Sequence, residues 1–377
     1  MVKNTLIRQT WAEINLDAIG HNIEQVKKRL RPGCEVVAVV KANGYGHGSV
    51  EVAKKALRSG ASSLAVSLLE EALTLREANI DAPILVLGWV GPEYASIAAE
   101  QNITLTFSQK EWVQAVKKHT LPKKLNVHMK WDTGMGRTGI RTEKELKGII
   151  EELNDNPSIY LTGVYTHFAT ADSIDPTYYK LQRERFEKLS NTFKTLWKEP
   201  VEFHMSNSAA SIQYPDVEQP YIRLGISMYG LYPSKEVKET TEVNLKQAFS
   251  LHSQIVFVKK VPAGECISYG GTYRTESEEW IGTIPIGYGD GWIRKLTGMT
   301  VLIDGKRMPI VGRICMDMMM VRLDQEYEIG TKVTLIGKQG DDFIDMDEIA
   351  DKLDTINYEI PCTITARVPR IYTESES

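Results

Sequence analysis

The sequence predicts an α/β domain of alternating strands and helices, followed by a smaller, mostly-β domain. Short strand-like runs alternate with helix-period stretches through roughly the first 240 residues. The runs lie near Val36–Val40, Ser63–Ser67, Ile84–Leu87, Thr104–Phe107, Leu125–Lys130, Leu161–Thr166, Glu202–His204 and Tyr221–Leu224. Near Lys246 the texture changes to alternating runs separated by turn signals. Eight strands joined by mostly helical connections match a (β/α)8 barrel of the TIM type in number and length, with a doubly wound sheet as the alternative.

A β-like run, Gln9 to Leu16, opens the chain, and Asp17 is placed to cap a helix running to about Arg31, before Pro32-Gly33. Helical stretches fall at Val50–Arg58, Glu70–Ala78, Glu143–Asn154 and Tyr178–Trp197. Beyond Tyr232-Pro233 come the strand-like runs Ser253–Val261, Trp280–Ile286, Thr300–Asp304 and Lys332–Gly337, with Asp304-Gly305 as a turn and Met346–Lys352 as the one clear helix. The domains are set at 1–243 and 244–377, with the first dozen or so residues expected to pair with the β domain and Glu374–Ser377 expected to be disordered.

The chain of 377 residues is 42% hydrophobic and 25% charged, ordinary for a globular protein of two domains. A net charge of −4 without a basic run argues against nucleic-acid binding. No apolar run is long enough to span a membrane, and MVKNTLIRQTW lacks the apolar core of a signal peptide. Cys34, Cys266, Cys315 and Cys362 are scattered without metal-ligand spacing, which suggests free thiols in a cytoplasmic protein and no metal site.

The stretch Val36 to Gly48, VVAVVKANGYGHG, draws the chemistry together. A buried strand ends on Lys41 and runs into glycines interleaved with Asn43, Tyr45 and His47. A half-desolvated lysine becomes a nucleophilic amine, although a strand ending in a solvated lysine reads the same way from composition alone. In an α/β barrel the chemistry sits at the carboxyl ends of strands. Five strands here end on polar groups: Lys41, Lys130 to Arg137, His167, His204 to Ser208, and Arg223 to Ile226. Ser208 ahead of a short helical run is either an anion site or a plain N-cap.

Val40 to His47 resembles the pyridoxal-phosphate attachment signature of alanine racemases, in which the lysine forms a Schiff base with the cofactor. The likeness runs from residue 10 to about 370. It implies the barrel, the pyridoxal 5'-phosphate cofactor on Lys41, and a small-molecule substrate. It implies a phosphate held by Tyr45, Ser208, Gly225 and Ile226, with Asn207, His167 and Tyr358 also bordering the cofactor. It sets Arg223 against the pyridine nitrogen. An arginine donates a hydrogen bond but rarely a proton, so the ring stays a weak electron sink and reprotonation at the substrate's α-carbon is favoured.

Two bases on opposite faces are then implied: Lys41, and Tyr269 in Ser268–Tyr273. A tyrosine is a weak base at neutral pH unless positive charge stabilises its phenolate, and the resemblance implies a chain from Arg223 through His167 to Tyr269. The family places this tyrosine on the other subunit, which implies a homodimer with shared sites. Ile310–Asp317 resembles a further family segment, with the Met316 backbone at the substrate carboxylate and Arg137 binding it from the barrel. Asp172, Tyr288, Arg294 and Arg313 match residues of the corridor leading to the site. Lys130 facing Arg137 would bring like charges together, which carboxylation of Lys130 by CO2 or a bound chloride would relieve.

The resulting expectation is racemisation of L- and D-alanine, supplying D-alanine for peptidoglycan. A racemase of serine or of broad specificity, a non-catalytic pyridoxal-phosphate carrier on a similar barrel, and a decarboxylase are the alternatives. The β domain argues against the carrier, and Arg223 where an acid would be expected argues against the decarboxylase.

Overall fold

The computed structural model describes residues 7–216 and 219–375. It divides into two compact units. One comprises Ala18–Gly44 and Ser49–Lys246; the other comprises the N-terminal segment ending at Asp17, the short segment Tyr45–Gly48, and the chain from Gln247 onward. The continuous part of the second unit thus begins three residues beyond the expected start at 244.

Strand β1 (Thr10–Asn15) belongs to the second unit. The first unit holds β2 (Glu35–Val39), β3 (Ser63–Val66), β4 (Ile84–Trp89), β5 (Ile103–Phe107), β6 (Leu125–Lys130), β7 (Ile159–Tyr165), β8 (Glu202–His204) and β9 (Tyr221–Leu224). Neighbours pair in parallel in the order β8-β7-β6-β5-β4-β3-β2-β9. The β8–β9 seam is closed just past β8 by Arg223 N–H donating to the Ser206 carbonyl at 3.0 Å. β2 reads as a continuous apolar run because it is covered on both faces, and Val36 to Val40 are all buried. This is the expected (β/α)8 barrel, with eight parallel strands and helical connections.

The helix after β1 covers Leu16–Lys27 and does not reach Arg31. Bonds from Arg29 to Val26 and from Leu30 to Lys27 tighten its end, and Pro32 disfavours helix in the residue before it. Asp17 lies inside the first turn, where its carboxylate accepts from the amide and hydroxyl of Ser375. Ser375 is therefore tied down, contrary to the expected disorder, while Glu376 and Ser377 lie outside the described residues.

In the second unit come β10 (Phe249–Gln254), β11 (Phe257–Val261), β12 (Cys266–Ile267), β13 (Tyr273–Arg274), β14 (Glu279–Ile284), β15 (Thr300–Ile303), β16 (Lys306–Val311), β17 (Met319–Leu323), β18 (Lys332–Gln339), β19 (Asp342–Ile344) and β20 (Arg370–Thr373). The main sheet runs β11-β14-β17-β16-β15-β18-β10-β1-β20. The run Ser253–Val261, expected as one strand, is the tail of β10 and all of β11, broken at Ile255-Val256, where the backbone bonds Thr331 and Thr283 instead. Asp304 (φ 51°) and Gly305 (φ 74°) form the two-residue hairpin turn between β15 and β16. A second helix, Glu359–Thr363, follows Met346–Leu353, so the expected single helix is one of two.

Candidate active site

Lys41 follows β2 and begins an unusual turn. Ala42, Asn43, Gly44 and Tyr45 all have left-handed backbone, with φ of 52°, 52°, 62° and 49°. Each non-glycine residue in this region costs roughly 1–2 kcal/mol. Hydrogen bonds offset the cost: Gly44 N–H donates to the Val40 carbonyl at 2.9 Å, Ser49 N–H to Asn43 Oδ1 at 3.0 Å, and Ala42 N–H to Glu71 Oε1 at 2.5 Å. The other Glu71 oxygen accepts from Ser67 and Leu68 N–H at 2.8 and 3.1 Å. One carboxylate thus ties the lysine turn to the loop after β3.

Around the carboxyl mouth of the barrel the structure gathers cations. Lys130, last residue of β6, is 5% exposed and donates to Thr138 Oγ1 at 2.9 Å. Burial, then Arg137, Arg223 and Lys41, bring its pKa down to about 8. His167, just past β7, is held well below the ordinary histidine range by burial, then by Arg223, Arg137, Lys41 and Lys130. Asp132 arranges the loop that carries Arg137, its Oδ1 accepting from Gly134 and Gly136 N–H at 3.1 and 2.9 Å.

Arg223, on β9, is 3% exposed. Its Nη1 donates to His204 Nδ1 at 2.6 Å, and its Nη2 to the Thr166 and Met205 carbonyls at 2.8 and 2.9 Å. The guanidinium lies over the Tyr165 ring, 5.1 Å from its centre. The histidine it bonds is His204, while Nη2 goes to the carbonyls of Thr166, just past β7, and Met205, just past β8; Arg223 acts on His167 through its charge. His204 is legible in the sequence only as a strand end, and its role depends on strand neighbours distant in sequence.

The cap of helix Ser208–Gln213 is Asn207, not Ser208: Asn207 Oδ1 accepts from Ala210 N–H at 3.0 Å. Ser208 Oγ instead accepts from Gly225 N–H at 2.9 Å, next to Ile226 at the start of the following turn. Asp172 lies in the same unit, its carbonyl accepting from Ser234 Oγ at 3.0 Å. Clustered cations beside a hydroxyl and loop amides fit an anionic, phosphorylated cofactor and an acidic substrate.

Tyr45, Tyr269, Tyr288, Arg294, Arg313, Met316 and Tyr358 belong to the second unit. The rings of Tyr45 and Tyr358 lie 6.4 Å apart, and burial raises the Tyr45 pKa. Gly46 has φ 80°, and a Cβ there would meet the Pro361 carbonyl oxygen at 2.0 Å. Tyr269 projects from a turn at 67% exposure, where Ser268 Oγ donates to the Arg313 carbonyl at 2.6 Å. The Met316 segment is braced by Gly289 N–H donating to the Met316 carbonyl at 2.9 Å and by the Arg367–Asp317 pair at 2.7 Å. Arg294 begins the short turn Arg294–Leu296.

Among the described residues, no helix is long and apolar enough to cross a membrane. The sequence model "Alanine racemase, N-terminal domain" matches residues 14–233, and "Alanine racemase, C-terminal domain" matches 248–372. An alanine racemase of Anoxybacillus flavithermus is 52% identical, covering 100% of this chain and 98% of its own. The structure of the Bacillus anthracis alanine racemase with bound L-Ala-P superposes with a TM-score of 0.96 at 47% identity, covering 98% of this chain and 96% of that one. A histidine racemase of Leuconostoc mesenteroides matches at 0.92 and 32%, covering 98% and 100%. With both domains matched and relatives similar over its whole length, the chain belongs to the alanine racemase family, isomerases that use pyridoxal phosphate to interconvert L- and D-alanine.

Proposed function

We propose that racemisation runs on two bases, Lys41 on one face of the substrate's α-carbon and Tyr269 of the partner subunit on the other. The observation that carries this is the cationic mouth, where burial and then Arg137, Arg223 and Lys41 weaken the hold of Lys130 on its proton. Such a mouth suits a phosphorylated cofactor and a carboxylate substrate. When bound, pyridoxal phosphate supplies an electron-withdrawing ring that acidifies the substrate's α-hydrogen. Lys41 is the attachment point; Ser208, Gly225, Ile226 and Tyr45 hold the phosphate, and Asn207 and Tyr358 border the cofactor. Arg223 has both terminal nitrogens engaged within the barrel, which leaves Nε–H for the ring nitrogen. Arg137 binds the substrate carboxylate from the barrel side, and the Met316 backbone contacts the same carboxylate. Lys41 takes the α-hydrogen from one enantiomer while the tyrosine delivers a proton to the opposite face; the reverse reaction exchanges the roles.

Lys130 carries a carboxylate formed with CO2, or else faces a bound chloride, and either anion steadies Arg137. Asp172, Tyr288, Arg294 and Arg313 line the way in. Sharing of Tyr269 makes the homodimer the active form. Cysteines that form no disulfide among the described residues support a cytoplasmic protein that supplies D-alanine to peptidoglycan. The histidine racemase among the structural neighbours supports a second reading, a wider substrate range.

The test measures racemisation of alanine, serine and histidine together with solvent-deuterium exchange at the α-carbon. Tyr269→Phe should lower alanine racemisation about 10²–10⁴-fold while one enantiomer still exchanges its α-hydrogen. Equal loss of exchange from both enantiomers would overturn the two-base assignment, and serine or histidine turned over as fast as alanine would favour the second reading.

A further inference from the structure

We infer that His128 is a positioning residue: through His204 it fixes Arg223, in a hydrogen-bonded relay that runs down the barrel interior to a polar pocket at the opposite mouth. This rests on the reading of Arg223 as the partner of the cofactor's ring nitrogen.

Side chains two apart on a strand share a face, so Asn126, His128 and Lys130 of β6 all look into the barrel at successive depths. Arg223 Nη1 lies 2.6 Å from His204 Nδ1, and His204 Nε2 lies 3.1 Å from His128 Nδ1. Arginine has no acceptor, so the direction is forced. Arg223 donates to His204 Nδ1, which puts the neutral ring's proton on Nε2. That N–H donates to His128 Nδ1, which puts the His128 proton on its own Nε2. Neither ring can take a second proton without breaking a bond. Burial beside the guanidinium works the same way, holding His128 down to about 3 and His204 well below the ordinary range.

The local fold is built around this imidazole. The β6–β7 register shifts between Val127 and His128, leaving one extra β7 residue, Thr162, and setting Gly163 opposite His128. A Cβ on Gly163 would lie 2.5 Å from both Cε1 and Nε2 of His128, so only glycine leaves the ring its place. His204 stacks on Tyr165 with ring centres 4.9 Å apart. Below, His128 lines a pocket with Ser63, Thr104, Asn126, Glu202 and Tyr221, all at the amino ends of their strands. The pocket gives His128 Nε2–H a polar place in which to find an acceptor.

The test has two arms. In cofactor-free protein labelled with 15N-histidine, His128 and His204 should both show the neutral Nε2–H form and keep it down to about pH 5, where an ordinary histidine is protonated. In the loaded enzyme, His128→Leu removes the acceptor for His204 Nε2–H, and kcat should fall about tenfold with the KM for alanine little changed. Its cofactor absorbance should also bleach faster under turnover, as amino-group transfer to the cofactor gains ground. His128→Gln, whose amide oxygen can accept the same bond, should recover most of kcat. The Nδ1–H form or a charged ring at either histidine overturns the relay whatever the cofactor does. Normal tautomers with His128→Leu and His128→Gln equally active, or equally impaired, overturn the positioning role. A wild-type protein that shows no cofactor absorbance overturns the reading of Arg223 and the positioning role with it, while the tautomers still judge the relay.

Discussion

Lys130 has the strongest need of an anion among the residues of the barrel mouth. Its pKa falls from the ordinary 10.5 to about 8 through burial and three neighbouring cations, so the charged form is the disfavoured one. Between those values the unfolded chain binds the proton and the folded chain does not, so stability rises with pH across that window and the penalty is fully present below about 8. Carboxylation consumes the neutral amine, so it should become more complete as pH rises through the same range. With 13C-bicarbonate and no chloride, the wild type should show a carbamate resonance that grows from about pH 7 to about pH 9 and is absent from Lys130→Met. Without CO2, chloride or cofactor, Lys130→Met should unfold at a higher temperature than the wild type near neutral pH, with the gap closing toward about pH 10. A missing carbamate together with identical unfolding temperatures would remove the case for an anion at Lys130.

The element that matters most is the left-handed turn after β2. Its sequence reads as a flexible glycine loop, and Asn43 and Gly44 do belong to residue types that tolerate such backbone. Ala42 and Tyr45 do not; bonds from Gly44 to Val40 and from Ser49 to Asn43 close the turn locally, and a further restraint comes from outside it. The restraint comes from Glu71, twenty-nine residues beyond Ala42, whose carboxylate accepts three amide bonds. A local reading finds the turn but not its rigidity. Glu71→Ala should cost about 2 kcal/mol of unfolding free energy, since two to three charge-assisted bonds are lost at a partly exposed site. It should also weaken cofactor binding severalfold by freeing the segment that carries Lys41. Glu71→Gln, which keeps the shape and one acceptor oxygen but loses the charge, should fall between. Denaturant titration and cofactor titration read the two effects, and a stable Glu71→Ala protein with unchanged cofactor affinity would show that the turn is held by its other bonds.

At the scale of the whole molecule, what could be read from the sequence depended on how local the signal was. Strands such as Val36–Val40 and Ile84–Leu87 were legible because parallel strands buried on both faces read as apolar runs, and Lys41, His167 and Arg223 were legible as polar residues at or near strand ends. The relay through His204 and His128 was not, because it joins β6, β8 and β9 across the barrel and each histidine alone looks like a core residue. Tyr269, Tyr288, Met316 and Met318 all stand more than 40% exposed on one chain. A second copy covering that surface is the proposed arrangement, and it has a quantitative consequence. Lys41→Ala and Tyr269→Phe should each be nearly inactive alone. Co-expressed with different tags, they pair at random, so about half the dimers are mixed, and each mixed dimer assembles one site with both bases intact and one with neither. The mixture should therefore recover about a quarter of wild-type activity, and purified mixed dimers about half. If each site took both bases from its own chain, mixed dimers would be as inactive as either parent, and sedimentation of the wild type as a monomer would be equally decisive against sharing.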